Sequence, residues 1–209
     1  MQQYIQETEF FDFNTAGIQA LVAEFIDQPT KQQIEGLFLT IRDNWRYNPY
    51  TISGKKDHYK ASDVVGRKEG HCIDKSVLFI AALRALKIPA RLRLAKVVNH
   101  IAAERLTEKL GNPHIAPHGI AEVYVDGKWF KASNAFNKEL CEIYNVDPLH
   151  FIGTEDAMIQ PFNRTAQKYM EYIEDYGHFD DVPFQFIIDT FQQNYPSLAH
   201  AFVEDRFTI

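Results

Sequence analysis

Gly70-His71-Cys72-Ile73-Asp74-Lys75-Ser76-Val77-Leu78-Phe79-Ile80-Ala81-Ala82-Leu83-Arg84-Ala85-Leu86 is the stretch on which the fold turns. A loop with two glycines, Gly66-Arg67-Lys68-Glu69-Gly70, delivers a thiol to the first turn of a long helix. From Val77 to Leu86 that helix is apolar nearly all round, so it belongs at the centre of the molecule. Lys87 and Pro89 close it, and Ile88-Pro89-Ala90-Arg91-Leu92-Arg93-Leu94-Ala95 turns into a strand. At a helix entrance the unpaired N–H groups and the positive end of the dipole favour thiolate over thiol. Cys72 is therefore the candidate nucleophile; the competing reading is a small core residue.

Downstream, Asp126-Gly127 is a strong two-residue hairpin signal between His118–Val125 and Lys128–Asn134. A two-residue turn sets Val125 opposite Lys128, Tyr124 opposite Trp129, Glu122 opposite Lys131 and Ile120 opposite Ser133. Period-two alternation then puts Ala121, Val123, Val125, Phe130 and Ala132 on the core side. His118, Ile120, Glu122, Tyr124, Trp129, Lys131 and Ser133 share the other face, with Ser133 a diagonal neighbour of His118. Asn134 points the opposite way unless the strand bulges. Glu122 and Lys131 read as an exposed cross-strand ion pair. His100, His114 and His118 invite a metal reading, but Pro113 and Pro117 forbid the helix that would align His114 with His118, and no acidic ligand spacing accompanies them. No metal and no cofactor are expected.

The flanks read as helical. Ile18–Ile26 and Gln32–Tyr47 carry apolar residues at helical spacing, and Asn48-Pro49-Tyr50 stops the second. Phe162–Tyr176 reads as an amphipathic helix with Tyr169, Tyr172 and Tyr176 on one face, ended by Gly177, and Val182–Tyr195 as another. The aromatics after residue 138 are expected to pack these helices over the sheet, with some free to wall a substrate groove. Helices flanking a strand block give an α+β domain.

The 209 residues suit a single domain, with 45% hydrophobic and 24% charged residues. A net charge of -6 argues against nucleic acid as a partner. No apolar run reaches the roughly 20 residues of a membrane span, and the N-terminus lacks the basic and apolar pattern of a secretory signal. Two cysteines without framework spacing fit a reducing compartment, so the expected location is cytoplasmic.

The ordered set Gly-x-Cys at a helix start, Leu-Arg-Ala-x-x-Ile-Pro-Ala-Arg (Leu83–Arg91), then His118-x-x-x-Glu122-Val123-Tyr124-x-x-Gly127-x-Trp129, resembles the transglutaminase-like core. Ile41–Pro49 and Tyr59–Val65 also fit the approach to its cysteine. The resemblance covers about 40–137, roughly half of a single domain spanning 1–209, and leaves 138–209 as a C-terminal helical extension. It implies a papain-like architecture, a cysteine-bearing helix packed on an antiparallel sheet that carries a histidine. By that match Cys72 is the nucleophile and His118 the base. Where such enzymes carry an aspartate to orient the histidine, this chain has Ser133, followed by Asn134, and either could orient the imidazole. The helix also ends in Lys87 where glycine is common.

The chemistry expected is acyl transfer on an amide of a peptide or protein, through a preformed Cys72 thiolate–His118 imidazolium pair and a thioester that water or a second amine resolves, giving a peptidase or amidase or a protein-glutamine transamidase. An oxyanion would meet the Cys72 N–H and a second donor drawn from Trp45, Tyr47 or Asn48. The alternative is a catalytically impaired module that binds a peptide or partner protein in the former cleft, favoured by Ser133. Cys141 is read as a packing residue.

Overall fold

The computed structural model describes residues 1–102, 107–108 and 111–196. Six α-helices with described bounds precede, interrupt and follow the strands: α1 Ala16–Val22, α2 Thr30–Asn44, α3 Ala61–Arg67, α4 Cys72–Ala85, α5 Lys138–Ile143 and α6 Phe184–Asn194. The strands are β1 Arg46–Tyr47, β2 Glu69–Gly70, β3 Ala90–Asn99, β4 His114–Val125, β5 Lys128–Ala132 and β6 Met170–Phe179. β5, β4, β3 and β6 lie in that order in one antiparallel sheet, and β1 pairs in parallel with β2. The architecture is α+β, with the expected central helix on an antiparallel sheet. Among the described residues no helix is long and apolar enough to cross a membrane.

The thiol helix begins at Cys72 itself, and every residue from Cys72 to Arg84 is buried. It packs on β4 and β3 with one side and against α1, α2 and α3 with the others. Val77, Leu78, Phe79, Ile80 and Leu83 are wholly buried, each contributing on the order of 2 kcal/mol of apolar burial. Its buried charges are matched rather than tolerated. Arg84 donates to the carbonyls of Ala90 (2.9 Å), Gln6 (3.1 Å) and Asp180 (2.8 Å), tying both ends of the chain's core to the helix. Lys75 donates to the carbonyls of Arg42 (2.8 Å) and Ala135 (2.7 Å).

The hairpin register is the expected one, Val125 opposite Lys128, Tyr124 opposite Trp129 and Glu122 opposite Lys131, around Asp126 and Gly127 at φ 50° and 85°. Two consecutive positive φ values are what a primed hairpin turn requires. Ala121, Val123, Val125 and Ala132 join the main core beneath α4. The opposite face does not meet solvent at its His118 end. Ala95, Val97 and Ile120 are covered there by Cys141, Val146, Tyr169 and Met170, a second, smaller core. Glu122 is buried as well, held by Arg91 (2.6 Å) and Arg93 (2.7 Å), while Lys131 reaches Asp156 instead. The exposed Glu122–Lys131 ion pair is thus replaced by a buried two-arginine clamp, because β3 brings two guanidinium groups onto the same face.

One element differs in kind from its expectation. Residues 162–176 do not form an amphipathic helix; Met170–Phe179 is a strand paired with β3 from Leu92 to Asn99, and Gly177 lies inside it. Tyr169, Tyr172 and Tyr176 satisfy helical spacing, but aromatic residues also suit a strand, and β3 has an edge whose N–H and C=O groups need partners. The region after 138 is therefore not a helical extension, since it supplies the fourth strand of the central sheet. Its last part, 197–209, lies outside the described residues.

Candidate active site

Cys72 is placed by a short parallel pairing. β1 and β2 align Tyr47 with Gly70, and the chain enters α4 directly afterwards. His71 caps the helix: its Nδ1 accepts the Asp74 N–H (3.0 Å) while Asp74 Oδ2 accepts the His71 N–H (3.0 Å), a reciprocal capping box. Asp74 is fully buried and also accepts from Thr51 (3.1 Å) and Arg67 (3.2 Å). This lattice fixes the first turn that presents the thiol. Because Nδ1 accepts, the His71 proton sits on Nε2, a buried atom without a hydrogen-bond partner among the described residues.

The sulfur opens onto a cavity of about 230 Å³ whose walls include Tyr47, Ile52, Phe136, Ile187 and Tyr195. Burial pushes the Cys72 thiol up to about 12, outweighing the backbone N–H groups of Gly119, Ile73 and Cys72 that would stabilise a thiolate. Gly119 allows this approach. A Cβ there would stand 2.7 Å from the Ile73 Cα, a backbone atom that cannot swing away.

His118 leaves the strand in the other direction. Its ring is 1% exposed and lines a separate small cavity with Ser133, Phe136 and Gln160. Among the described residues neither ring nitrogen has a hydrogen-bond partner, and none joins it to Cys72. Burial, with a smaller contribution from His71, pushes the imidazole down to about 4. Burial therefore works against the preformed ion pair expected from the helix dipole, favouring thiol over thiolate and neutral imidazole over imidazolium. At the sulfur, desolvation is the largest influence, and the N–H groups at the helix entrance offset only part of it. Phe136 borders both cavities and is the wall they share.

Of the two candidates for the third position, Ser133 lies in the cavity of the His118 ring. Asn134 points to α4, where its Nδ2 donates to the Lys75 carbonyl (3.4 Å). The two residues follow directly on the end of β5 at Ala132 and face opposite ways. The oxyanion candidates also part company. Trp45 is 2% exposed and its indole N–H is committed to the Val64 carbonyl (3.0 Å). Asn48 accepts the Tyr50 N–H (3.0 Å), and its side chain is absent from the walls of the Cys72 cavity. Tyr47 does line that cavity, edge-on to Phe136 with ring centroids 4.9 Å apart, and burial raises its hydroxyl well above the usual range. Among the described residues no three His, Cys, Asp or Glu side chains gather as a metal site; His100 pairs instead with Glu171 (3.0 Å).

The sequence reading passed over three residues. His71 is marked only by preceding Cys72, Gly119 only by following His118, and Phe136 by nothing local. C-terminal aromatics divide as their two readings allowed: Phe151 is core, whereas Tyr144, Phe191 and Tyr195 wall the cavity.

The transglutaminase-like superfamily model matches residues 19–133, more than half of the chain. The chain belongs to the transglutaminase-like superfamily. The matched span holds Cys72, His118 and Ser133 and ends just before Asn134. No curated protein matches the chain. A crystal structure of a candidate cysteine protease from Cytophaga hutchinsonii is similar to it at 22% identity and a TM-score of 0.48, over 63% of this chain. The match spans only 40% of that protein.

Proposed function

We propose that this superfamily member is a cysteine-dependent acyl-transfer enzyme acting on amide bonds, with Cys72 as nucleophile and His118 as base. The observation that carries the reading is Cys72 itself, a thiol at the first turn of a buried helix, set in a cavity wall beneath three backbone N–H groups. For this the His118 ring, which rests in the adjoining cavity, must come within reach of the sulfur as substrate binds. The Cys72 proton then passes to it as sulfur bonds to the carbonyl carbon, and the oxyanion is met by the helix N-terminus. The C–N bond then breaks, His118 returns the proton to the departing amine, and a thioester remains. Water, deprotonated by His118, attacks the thioester, releases the acid and restores the thiol. Ser133 is the residue that would orient the imidazole, and Tyr47 the remaining side-chain donor for the oxyanion. Burial favours the neutral form of both groups, so the thiolate forms as the substrate carbonyl is attacked. A cytoplasmic location suits a thiol that must stay reduced.

The second reading, an impaired module that binds a peptide or protein, is favoured by Ser133 and by the unpaired His118 ring. Turnover of amide and activated-ester substrates separates the two. Catalysis predicts that Cys72→Ala abolishes it and His118→Ala lowers kcat at least a hundredfold. Ser133→Ala should lower kcat as well, whereas Asn134→Ala should change stability alone. No turnover with any substrate alongside retained peptide binding would establish the module, and turnover unaffected by Cys72→Ala would overturn Cys72 as the nucleophile.

A further inference from the structure

Resting on the reading of Cys72 as nucleophile, we infer that the cavity beside it selects an uncharged, bulky apolar side chain, aromatic or branched aliphatic, on the residue that supplies the attacked carbonyl. Among the described residues its lining contains no Asp, Glu, Lys or Arg. A charged substrate side chain would therefore lose its water without gaining an ion pair. The polar side chains that line it are Asn99, the tyrosines Tyr47, Tyr50, Tyr144 and Tyr195, and His71, whose protonation burial disfavours. The other walls are chiefly apolar or aromatic, Ile52, Ile115, Phe136, Ile187, Phe191 and Tyr195 among them.

Size narrows the class further. A cavity of roughly 150 Å³ lined by aliphatic and aromatic side chains is enough for benzene. At about 230 Å³ this one has room for one aromatic or branched side chain together with its first backbone atoms. A glutamine carboxamide approaching as acyl donor would set only a thin methylene stem in that space and leave most of its walls without contact. The shape thus favours cleavage after an apolar residue over glutamine transamidation.

Four reagents on the full chain test this, the N-acetyl chloromethyl ketones of phenylalanine, glycine, glutamate and lysine, with iodoacetamide as the reagent lacking a side chain. In each the Cys72 sulfur displaces chloride (iodide from iodoacetamide), and mass spectrometry reads the labelled residue. The phenylalanine reagent should label Cys72 at least tenfold faster than the glycine reagent, with glutamate and lysine no faster than glycine. Leu140→Trp, which fills the cavity, should lower the phenylalanine-to-glycine rate ratio; Ile52→Trp does so from another wall should the first variant fail to fold. Labelling by iodoacetamide without preference among the four ketones overturns the inference and leaves Cys72 as nucleophile. A preference unchanged in both tryptophan variants overturns it too, by placing the selection elsewhere. A Cys72 inert to all five reagents overturns the reading of the nucleophile itself.

Discussion

At the scale of single residues the site is governed by how closely two backbones meet. Gly119 of β4 touches Ile73 of α4, and the same approach aims the Gly119 N–H at the Cys72 sulfur. Gly119→Ala should destabilise the protein by about 3 kcal/mol, because the 2.7 Å clash is with a main-chain atom, and thermal or urea unfolding would register it. Cys72 offers a second check. Burial holds its thiol near 12, so the rate of alkylation by iodoacetamide should rise about tenfold per pH unit from pH 7 to 10 without a plateau. A plateau near pH 7 would mean that a thiolate–imidazolium pair exists at rest after all. Cys141 is wholly buried beneath Gln160 and should stay unlabelled throughout.

Among the elements, α4 carries its own stop signal in an unusual residue. Ile88 N–H donates to the Leu83 carbonyl (2.9 Å) and Lys87 N–H to the Arg84 carbonyl (2.9 Å), the paired bonds of a Schellman motif. The residue in the left-handed conformation is Lys87, at φ 62°, where a Cβ is costly. Lys87→Gly should stabilise the protein by about 1 kcal/mol with no loss of turnover, measured by the denaturation midpoint. This helix and the β4–β5 hairpin were legible residue by residue, since each is written in local signals: an apolar run with an entrance and a stop, and two alternating runs around Asp126-Gly127. β6 was not legible, because its tyrosines fit two periods and the decision belongs to β3, a strand some 80 positions earlier.

For the molecule as a whole, burial of bases sets the response to acid. His118 has its imidazole pushed down to about 4 and Lys75 its ammonium down to about 7, each chiefly by burial. Both shifts mean that the unfolded chain binds protons the folded chain refuses, so stability rises with pH. The His118 contribution is full above its unfolded value of about 6.5 and lost as pH falls toward 4, a loss of about 3 kcal/mol. Lys75 adds a loss of the same sign as pH falls from about 10.5 toward 7. Unfolding at pH 7 and at pH 4.5 should thus differ more for the natural chain than for His118→Leu; equal slopes would show that the ring is not refusing the proton.

The chain's own letters determined the thiol at a helix entrance, the hairpin and its register, and the face to which His118 and Ser133 belong. These follow from periods of 3.6 and 2 and from turn chemistry, all of which act within a few residues. Only the tertiary structure decided that a second core of residues 141–170 closes over His118, that α6 walls the cavity of Cys72, and that burial outweighs the helix dipole at the sulfur. Desolvation depends on everything within several ångströms in space, and no stretch of neighbouring residues records it.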